Sequence, residues 1–504
     1  MEEIIKLNAK NLSRLPKEVA IPAYDRTKIK TGIVHIGIGA FHRAHEAFYT
    51  DQVLQNQGAA NWGICGVGLL DTDRRIFDTL LNQDGLYILM ITQPDGTLTA
   101  RVIGSVTEYL FAPENPEAVL EKMSHPHSKI ISLTITEGGY NFNASTGEFQ
   151  LQEPAIQWDL NHPENPGTVF GYITQALKRR RNRGLAGLTI QSCDNIQKNG
   201  DVLKRMLLAY VKEAEPVLTD WILQQVTFPN CMVDRITPVT TPSIVETLRS
   251  VYGIEDSWPV VCEPFIQWVI EDNYPNGRPD WESAGVRFVA DVVPYEKMKI
   301  RLLNAGHSLL GFLGTLYGCN TVDEAVNTPL LRSFLREFMD QEVTPVLGRI
   351  EGIDLEEYKN SLIQRFGNPY IKDQLSRICS ESSAKIPKFL IPTIEEQLGS
   401  GGPVKCCALI VAAWCYYLEL AGTSGHHYEI QDKMGGVLHD QALASRNGDP
   451  LAFLKIETVF GDLAHSKRFV RDYLLVIHSL RKYGTEQTIR NLNTGILTKR
   501  LIKP

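Results

Sequence analysis

Three polar residues that could act on an alcohol stand in one apolar, helix-like stretch that begins after Pro294. They are Lys299, Asn304 and His307, and the stretch continues through apolar residues to Leu313. At helical spacing the three side chains fall within an arc of about 140°. A lysine can serve as a tunable base, an amide can donate a hydrogen bond, and an imidazole can orient a ligand. Burying such groups without a purpose is costly, although a helix on the surface with Lys299 in solvent explains the same pattern.

A glycine turn between a strand and a helix lies near the amino terminus. Residues 32–39 form a short β-branched strand that ends in glycines, and residues 41–54 have helical character. Gly37 permits a tight turn, and Gly39 allows the backbone to approach a pyrophosphate at the start of a helix. The third glycine of the dinucleotide fingerprint is absent because His42 stands there, so an ordinary strand-to-helix turn remains the alternative.

The rest of the chain divides into a strand-rich and a helix-rich part. Strand-like segments at 63–69, 129–136 and 188–193 are separated by helix-like segments. This alternation predicts an α/β fold with a mostly parallel, doubly wound sheet. After about residue 290 strand patterns become rare and long helical patterns dominate, so we expect a domain boundary there.

Size and composition exclude several classes of protein. The chain has 504 residues, 43% of them hydrophobic, and a formal net charge of -7, which argues against general affinity for nucleic acids. The nine cysteines form no Cys-x-x-Cys pair, and no signal peptide is evident, so we expect a reduced, cytoplasmic protein. The apolar run 406–420 is interrupted by Glu419 and is too short for a confident membrane span.

Two acids after the second strand-like segment could bind the ribose of a cofactor. Asp71 and Asp73 are the candidates, and a carboxylate there would accept the ribose hydroxyls of NAD and repel the extra phosphate of NADP. Arg74 and Arg75 weaken that exclusion, because arginine could accept the phosphate. A solvated loop is the alternative explanation.

Three other clusters are interpreted as structural. His42 and His45 lie three residues apart, a spacing that metal ligands can use, but no cysteine or acid set matches them. We therefore predict no catalytic metal. Cys406 and Cys407 are expected in the core. The basic run 178–181 could contact nucleic acid or a phosphate, but the end of a helix that stops near Gly184 explains it better.

Along nearly its whole length the chain resembles the polyol-specific long-chain dehydrogenases/reductases. The segments that carry the resemblance are Gly-Ile-Gly-Ala-Phe-His-Arg-Ala-His at 37–45, Thr-Glu-Gly-Gly-Tyr at 136–140, Ser-Cys-Asp-Asn at 192–195, the Val-Asp-Arg-Ile block within 228–238, and the Lys-x4-Asn-x2-His pattern from Lys299. The resemblance implies a Rossmann-type, dinucleotide-binding domain over residues 1–290. It also implies a mostly α-helical substrate-binding and catalytic domain over residues 291–504, NAD as cofactor, no metal, and a monomer.

The resemblance further implies roles for individual residues. The catalytic ones are Lys299 as the general base, Asn195 and Asn304 as amides that hold the reacting oxygen, His307 as the group that orients the substrate, and Glu296 in proton exchange with solvent. The substrate-binding ones are Asp234, Arg377 and Lys385. The cofactor-binding ones are Gly37, Gly39, Ala40 and Phe41, with Asp73 favouring NAD.

The activity that the resemblance implies is the reversible, NAD-dependent oxidation of mannitol to fructose. The partner is then a small polyol or ketose, and neither nucleic acid nor a membrane is expected. Arabinitol, sorbitol or a hexuronate such as fructuronate are alternative substrates, since Arg377 and Lys385 could hold a carboxylate. A noncatalytic nucleotide-binding sensor is a further alternative, but it would not need Lys299, Asn304 and His307 together.

Overall fold

The computed structural model describes residues 4–57, 59–143, 146–423 and 428–494. The chain forms two compact units, Met1–Val293 and Pro294–Pro504. In the described residues every strand belongs to the first unit, and the last of them ends at Val289. The strands are β1 (Ile5–Lys6), β2 (Thr31–Ile36), β3 (Gly63–Gly68), β4 (Tyr87–Thr92), β5 (Leu98–Ile103), β6 (Val106–Phe111), β7 (Ile130–Leu133), β8 (Thr189–Ser192), β9 (Cys231–Asp234), β10 (Ile254–Glu255), β11 (Val260–Cys262), β12 (Gln267–Glu271) and β13 (Arg287–Val289).

The central feature of the first unit is a five-stranded sheet in the order β6-β3-β2-β7-β8. All neighbouring strands in this sheet are parallel, as the sequence predicted. The chain builds outward from β2 through β3 to β6 and then returns to the other side of β2 with β7. In such sheets ligands bind beyond the carboxyl ends of the strands, where this reversal occurs. A ligand site is therefore expected at the turns that follow β2, β7 and β8.

Helices on both faces cover the sheet. Every residue of β2 is buried, which is typical of a parallel strand between two helical layers. Ile33 packs into the hydrophobic core on one side of the sheet, and Val34 and Ile36 pack into the core on the other side. The helices of this unit are α1 (Ala40–Ala44), α2 (Glu46–Gln57), α3 (Arg74–Asn82), α4 (Pro116–Ser124), α5 (Thr136–Gly139), α6 (Pro154–Asn161), α7 (Val169–Asn182), α8 (Asn199–Ala214), α9 (Thr219–Gln225) and α10 (Pro242–Tyr252).

Three smaller sheets complete the first unit. They have the orders β11-β4-β5, β13-β12-β9 and β1-β10, and the pairs β4/β5 and β9/β12 are antiparallel. The sheet with β9 matters for the site, because β9 carries the Val-Asp-Arg-Ile block at its end.

The described residues of the second unit form helices and the loops that join them, without a strand. Its helices are α11 (Val293–Met298), α12 (Ala305–Tyr317), α13 (Val322–Asn327), α14 (Pro329–Glu337), α15 (Thr344–Leu347), α16 (Leu355–Phe366), α17 (Leu375–Cys379), α18 (Ser382–Phe389), α19 (Ile391–Ser400), α20 (Lys405–Leu420), α21 (Gly435–Asn447), α22 (Glu457–Phe460) and α23 (Lys467–Asn493). Two π-helical segments, Lys299–Asn304 and Phe338–Val343, continue α11 and α14. α23 is interrupted at Gly484, whose φ of 76° is not helical.

The apolar segment 406–420 forms α20, a helix buried inside the second unit. Cys406 and Cys407 are fully buried, which confirms that they belong to the core. Their backbone N–H groups donate to the Glu342 carboxylate at 2.7 and 2.8 Å, so a buried acid caps the start of this helix. In the described part of the chain, no helix is both long and apolar enough to cross a membrane.

The basic run 178–181 lies at the end of α7, as predicted. α7 ends at Asn182, and Gly184 follows with a φ of 67°. Arg179 pairs with Glu117 and Glu121, and the buried guanidinium of Arg180 donates to backbone carbonyls. These contacts explain why the basic residues cluster there.

One strand boundary differs from the sequence prediction. The segment 129–136 was expected to be a strand throughout, but β7 ends at Leu133 and Thr136 begins the short helix α5. Thr136 has a φ of 59°, a left-handed conformation that a strand cannot contain. Asp194 holds this turn, because its carboxylate accepts hydrogen bonds from the backbone N–H groups of Ile135 and Thr136 at 3.1 and 2.9 Å.

Candidate functional site

The turn after β2 has the geometry of a dinucleotide-binding turn. Gly37 has a φ of 97°, and a Cβ atom there would lie 2.1 Å from the carbonyl oxygen of Thr134, so only glycine fits. Gly39 is the N-cap of α1, and no atom lies within 4 Å of the position that its Cβ would occupy. The first glycine is therefore needed for the turn itself, whereas the second leaves open space in front of the helix. Ala40 and Phe41 follow in the first turn of α1.

A buried polar cluster lies directly beneath this turn. It consists of His35 on β2, His42 on α1, Glu46 on α2 and Ser132 on β7, all at most 1% exposed. Glu46 Oε2 lies 2.9 Å from His35 Nδ1 and 3.2 Å from His42 Nδ1. The prediction that no acid accompanies the histidines was wrong for His42, because the fold brings Glu46 against both His35 and His42.

Burial and hydrogen bonding together set the pKa values in and next to this cluster. Burial lowers the pKa of His42 to about 4 and that of His45 to about 3, so both rings are neutral near pH 7. For Glu46, burial would raise the pKa, but hydrogen bonds from His35 and His42 outweigh it and hold the pKa below its ordinary value.

The turn after β8 is tied to the turn after β7. Besides the two backbone N–H groups, Asp194 accepts a hydrogen bond from the Tyr140 hydroxyl at 2.7 Å. Burial raises the pKa of Asp194, although these donors oppose the shift. Asn195, the predicted amide of the site, follows Asp194 and is exposed at this end of the sheet.

The end of β9 is also fixed to this region of the first unit. The Asn199 side chain donates to the backbone oxygens of Asp194 and Cys231 at 3.1 and 2.9 Å. The Val-Asp-Arg-Ile block therefore starts from a strand that is anchored to the turn after β8. Its Asp234 is 5% exposed, and Arg235 donates through Nη1 to the Ala44 carbonyl at 2.6 Å. Arg235 thus holds the end of α1 in place.

Asp73 lies in a single turn that follows β3. Its carboxylate accepts a hydrogen bond from Leu70 N at 3.0 Å, and the side chain is half-buried. Of the two arginines that could accept an NADP phosphate, Arg74 is already engaged. Its guanidinium lies 2.6 Å from Glu114 and stacks over the Phe111 ring at 4.5 Å.

In the second unit, four of the predicted residues lie on one continuous helix. Glu296 belongs to α11, Lys299 and Asn304 to the π-helical segment, and His307 to α12. Lys299 is 7% and Asn304 8% exposed, so the alternative of a solvent-exposed helix face is wrong. The His307 ring packs against Phe366, with 4.4 Å between the ring centroids.

The π-helical turn changes the register that the sequence analysis assumed. The Ala305 N–H donates to Ile300 O, five residues earlier. In a π-helix residues five apart follow one another along the same side of the helix, as residues four apart do in an α-helix. Lys299 and Asn304, five residues apart, therefore align more closely than regular α-helical spacing predicts. Single π turns of this kind are frequent at functional sites.

A buried ion pair anchors the same π-helical turn. Arg301 is 4% exposed, and its two Nη atoms each donate to a Glu396 oxygen at 2.7 Å. The hydrogen bond from Arg301 lowers the pKa of Glu396. Two parallel hydrogen bonds fix the orientation of the guanidinium, and so they fix the turn against α19.

Arg377 and Lys385 lie on helices that pack against this helix. α17 contacts α12, and α18 contacts both α12 and the π-helical turn. At Gly311 of α12 a Cβ atom would lie 2.9 Å from Ile378 Cγ2, which shows how closely α17 approaches. Arg377 is exposed and forms a two-pronged ion pair with Asp373. Lys385 Nζ donates to the Ile378 carbonyl at 3.2 Å.

The predicted residues therefore fall into two groups. The first unit carries Asn195, Asp234, Asp73 and the glycine turn, and the second carries the helix with Lys299 together with Arg377 and Lys385. Sequence reasoning missed His35, Glu46 and Ser132. Glu46 follows His42 by one helical turn, a signal that was available, but only the fold shows that His35 joins them.

Family models match both units of the chain. The model described as the mannitol dehydrogenase Rossmann domain matches residues 31–283, and the mannitol dehydrogenase C-terminal domain matches residues 291–480. Mannitol 2-dehydrogenase of Phaeosphaeria nodorum is 45% identical over 96% of this chain and 85% of its own length. Mannitol 2-dehydrogenase of Neosartorya fischeri is 45% identical over 96% of this chain and 98% of its own length.

Two solved structures are similar over nearly the whole chain. The ternary complex of Pseudomonas fluorescens mannitol 2-dehydrogenase with NAD and D-mannitol is 44% identical, with a TM-score of 0.86, and covers 97% of this chain and 100% of its own. A substrate-free D-sorbitol dehydrogenase is 38% identical, with a TM-score of 0.90, and covers 96% and 100%. These similarities confirm the expected Rossmann-type and helical domains. The chain belongs to the mannitol dehydrogenase family.

Proposed function

We propose that the chain catalyses the reversible, NAD-dependent oxidation of D-mannitol to D-fructose. The observation that supports this most strongly is the 44% identity, over 97% of the chain, to a mannitol 2-dehydrogenase solved with NAD and D-mannitol. The buried Lys-x4-Asn-x2-His pattern adds a chemical reason, since it supplies a base and hydrogen-bonding groups within one helix.

The glycine turn fits the proposed cofactor. The open space in front of Gly39 would admit a pyrophosphate, and α1 would direct its N-terminus toward it. Gly37, Gly39, Ala40 and Phe41 would hold this part of NAD. Asp73, after β3, would accept the ribose hydroxyls. When bound, NAD supplies an acceptor for the hydride.

Lys299 is the proposed general base. Hydride leaves an alcohol carbon readily only when the hydroxyl proton is removed, so a neutral acceptor must be present at the oxygen. Lys299 is buried, and burial favours the neutral form of an amine. Asn195 and Asn304 would donate to the oxygen as negative charge develops on it, and His307 would orient the polyol. Glu296 would exchange the proton with solvent.

The cations near the proposed substrate end favour a polyol over a hexuronate. Asp373 already occupies the Arg377 guanidinium with two hydrogen bonds and raises its pKa. Burial, followed by the charge of Arg377, lowers the pKa of Lys385. A substrate carboxylate would therefore meet an arginine that is already paired with Asp373 and a lysine whose pKa is lowered. The hydroxyl groups of a polyol need only hydrogen-bonding partners.

An initial-rate panel with mannitol, sorbitol, arabinitol, fructose and fructuronate, each with NAD(H) and NADP(H), tests the proposal. We expect mannitol with NAD and fructose with NADH to give the highest kcat/KM. D-Sorbitol is the second candidate, because the D-sorbitol dehydrogenase structure is also similar over the whole chain. Clear preference for fructuronate, with fructose almost inert, would contradict the proposal.

A further inference from the structure

The buried cluster beneath the glycine turn is linked to the turn by hydrogen bonds. Four polar side chains from four different elements meet there without access to solvent: His35, His42, Glu46 and Ser132. Their hydrogen bonds lead to Gly37, the residue that forms the turn. Thr134 Oγ1 donates to the Gly37 carbonyl at 2.6 Å, and His35 Nε2 lies 3.1 Å from the same oxygen.

The hydrogen bonds connect Glu46 to the turn through His35. On one side of the ring, Nδ1 lies 2.9 Å from Glu46 Oε2 and 2.8 Å from Ser132 Oγ. Ser132 gives its own proton to Glu46 at 2.9 Å, and a carboxylate only accepts, so the proton between the ring and these oxygens is on Nδ1. On the other side of the ring, Nε2 lies 3.1 Å from the Gly37 carbonyl oxygen and 2.9 Å from Thr134 Oγ1.

The cluster has the ligand types of a metal site but not its geometry. The ligand atoms of His35, His42 and Glu46 lie within 4.8 Å of one another. The two imidazole rings, however, are stacked face to face, with centroids 3.4 Å apart and 15° between their planes. A metal ion binds imidazole nitrogen in the ring plane at about 2.0 Å. Two nearly parallel planes share no such point, so an ion bound to one ring would lie well outside the plane of the other.

We propose that Glu46 is a positioning residue for cofactor binding, which acts by orienting His35 against the Gly37 carbonyl. Glu46 and Ser132 hold Nδ1 of the ring, His35 and Thr134 together fix the Gly37 carbonyl, and the fixed carbonyl sets the shape of the turn in front of Gly39. His42, neutral and stacked on His35, shields the pair from solvent. This inference rests on the proposed use of NAD.

Glu46 is the anion that contacts His35, with its Oε2 atom 2.9 Å from Nδ1. From α1, His42 is neutral because burial lowers its pKa to about 4. Cys193, after β8, and Tyr274 feel the charge of Glu46, and burial raises the pKa of both groups well above their ordinary values, so they stay neutral. Arg43 on α1 also helps to lower the pKa of His42 through its positive charge. Removal of the Glu46 charge would therefore take away the anionic partner of His35 Nδ1 and of the Ser132 hydroxyl.

The test compares NADH binding, by fluorescence titration between pH 6 and 9, in wild type, Glu46→Gln and Asp159→Asn. Asp159 is the matched control. It is a buried carboxylate of the same unit, but its oxygens accept hydrogen bonds from the backbone N–H groups of Gly167 and Thr168. Glu46→Gln should raise the NADH Kd about tenfold at pH 8, as expected for loss of one partner of a buried pair. In steady-state assays the KM for NAD should rise more than kcat falls.

The outcomes separate the possibilities. A Kd for Glu46→Gln that matches wild type at every pH would overturn the inference, as would an equal rise of the Kd in Glu46→Gln and Asp159→Asn. If Glu46→Gln does not fold, Ser132→Ala removes one hydrogen bond to Glu46 and one to His35 and should raise the Kd about threefold. An unchanged Kd in a folded Ser132→Ala protein would then contradict the inference. Failure of wild type to bind NADH would instead refute the proposed function.

Discussion

At the scale of single residues, the identity of the catalytic base is the main question. Lys299 and His307 lie eight residues apart on one helix, and an imidazole titrates near 6.5 without help, so His307 is a real competitor. The structure distinguishes their surroundings: Lys299 is buried, whereas His307 is half-buried and packs against Phe366. A ring held by an aromatic neighbour suits orientation of a substrate better than exchange of protons.

Lys299→Ala should therefore lower kcat for mannitol oxidation by about 10² or more, the range expected for lost general-base catalysis. The corresponding ionisation should disappear from the pH–rate profile, while the NADH Kd should stay close to wild type. His307→Ala is the control, because it should raise the KM for mannitol and leave that ionisation visible. The reverse pattern, with the ionisation lost only in His307→Ala, would move the base to His307.

Cofactor preference is a second question at this scale. Asp73 would repel the phosphate of NADP, and Glu114 keeps Arg74 from attracting it, because the two side chains form an ion pair at 2.6 Å. Asp73→Ala should lower the ratio of kcat/KM for NAD to that for NADP. Glu114→Gln should lower it about threefold by itself, in keeping with the small energy of an exposed ion pair.

The double variant tests whether the two acids act separately. If they do, the effects of Asp73→Ala and Glu114→Gln on the ratio should multiply. An unchanged ratio in Asp73→Ala would move the ribose contact to Asp71 or elsewhere. An unchanged ratio in Glu114→Gln would show that Arg74 does not reach the cofactor.

At the scale of elements, the strand–turn–helix unit at 31–44 combines a fixed and an open position. Gly37 is required by its φ of 97° and by the Thr134 carbonyl next to it. Gly39 has a φ of -73°, which alanine adopts without strain, and its surroundings are open. The two glycines thus have separable roles, one in the shape of the turn and the other in access to it.

Gly39→Ala should leave the melting temperature within about 1 °C of wild type, since alanine fits the backbone and meets no neighbour. It should raise the NADH Kd about tenfold or more, because the added methyl group would occupy the space in front of α1. Gly37→Ala is the contrasting variant, and it should lower the melting temperature as well. Normal NADH binding by Gly39→Ala would place the pyrophosphate elsewhere.

The helix from Val293 to Tyr317 shows how a π-helical turn can serve a site. The register shift at Lys299–Asn304 aligns two polar residues that α-helical spacing would separate. The Arg301–Glu396 ion pair holds this turn to α19, and close packing of α12 on α17 leaves no room for side chains at Gly311. The helix is therefore fixed on both sides of its polar residues.

At the scale of the whole molecule, the buried histidines couple stability to pH. His42 and His45 have an ordinary pKa of 6.5, which burial lowers to about 4 and about 3 in the folded state. The unfolded chain binds protons at these positions below pH 6.5, and the folded protein does not until the pH is much lower. The stabilisation that they contribute is thus complete above pH 6.5 and is lost as the pH falls toward 4.

Below pH 6.5, each of these histidines should lower the free energy of unfolding by about 1.4 kcal/mol for every unit by which the pH falls. Between pH 7.5 and 5.5 we therefore expect a loss of about 3 kcal/mol from the pair, measured by urea unfolding at both values. His45→Gln, whose amide can still donate to the Gln267 carbonyl, should reduce the loss by about half. An equally steep loss in this variant would show that other groups dominate acid unfolding.

Much of the fold was predictable because its signals are local. The β-branched strand before Gly37, the apolar run of α20 and the change of pattern near residue 290 each depend on residues close together in the chain. Hydrophobic periodicity reports such segments directly. The ends of the elements were predicted less accurately. The strand expected over 129–136 ends at Leu133, because a distant residue, Asp194, holds the turn that follows.

The sequence by itself determined the segments, the two-domain order and the chemical types within the Lys-x4-Asn-x2-His pattern, since these depend on short spacing. Only the tertiary structure decided which polar groups meet beneath the glycine turn. His35 and Ser132 are 97 residues apart, and Ser132 and Glu46 are 86 apart. Such contacts form because parallel strands bring distant segments to one edge of a sheet. Burial and these contacts together shift the pKa values of His42 and Glu46, and both are properties of the packed molecule that no local pattern contains.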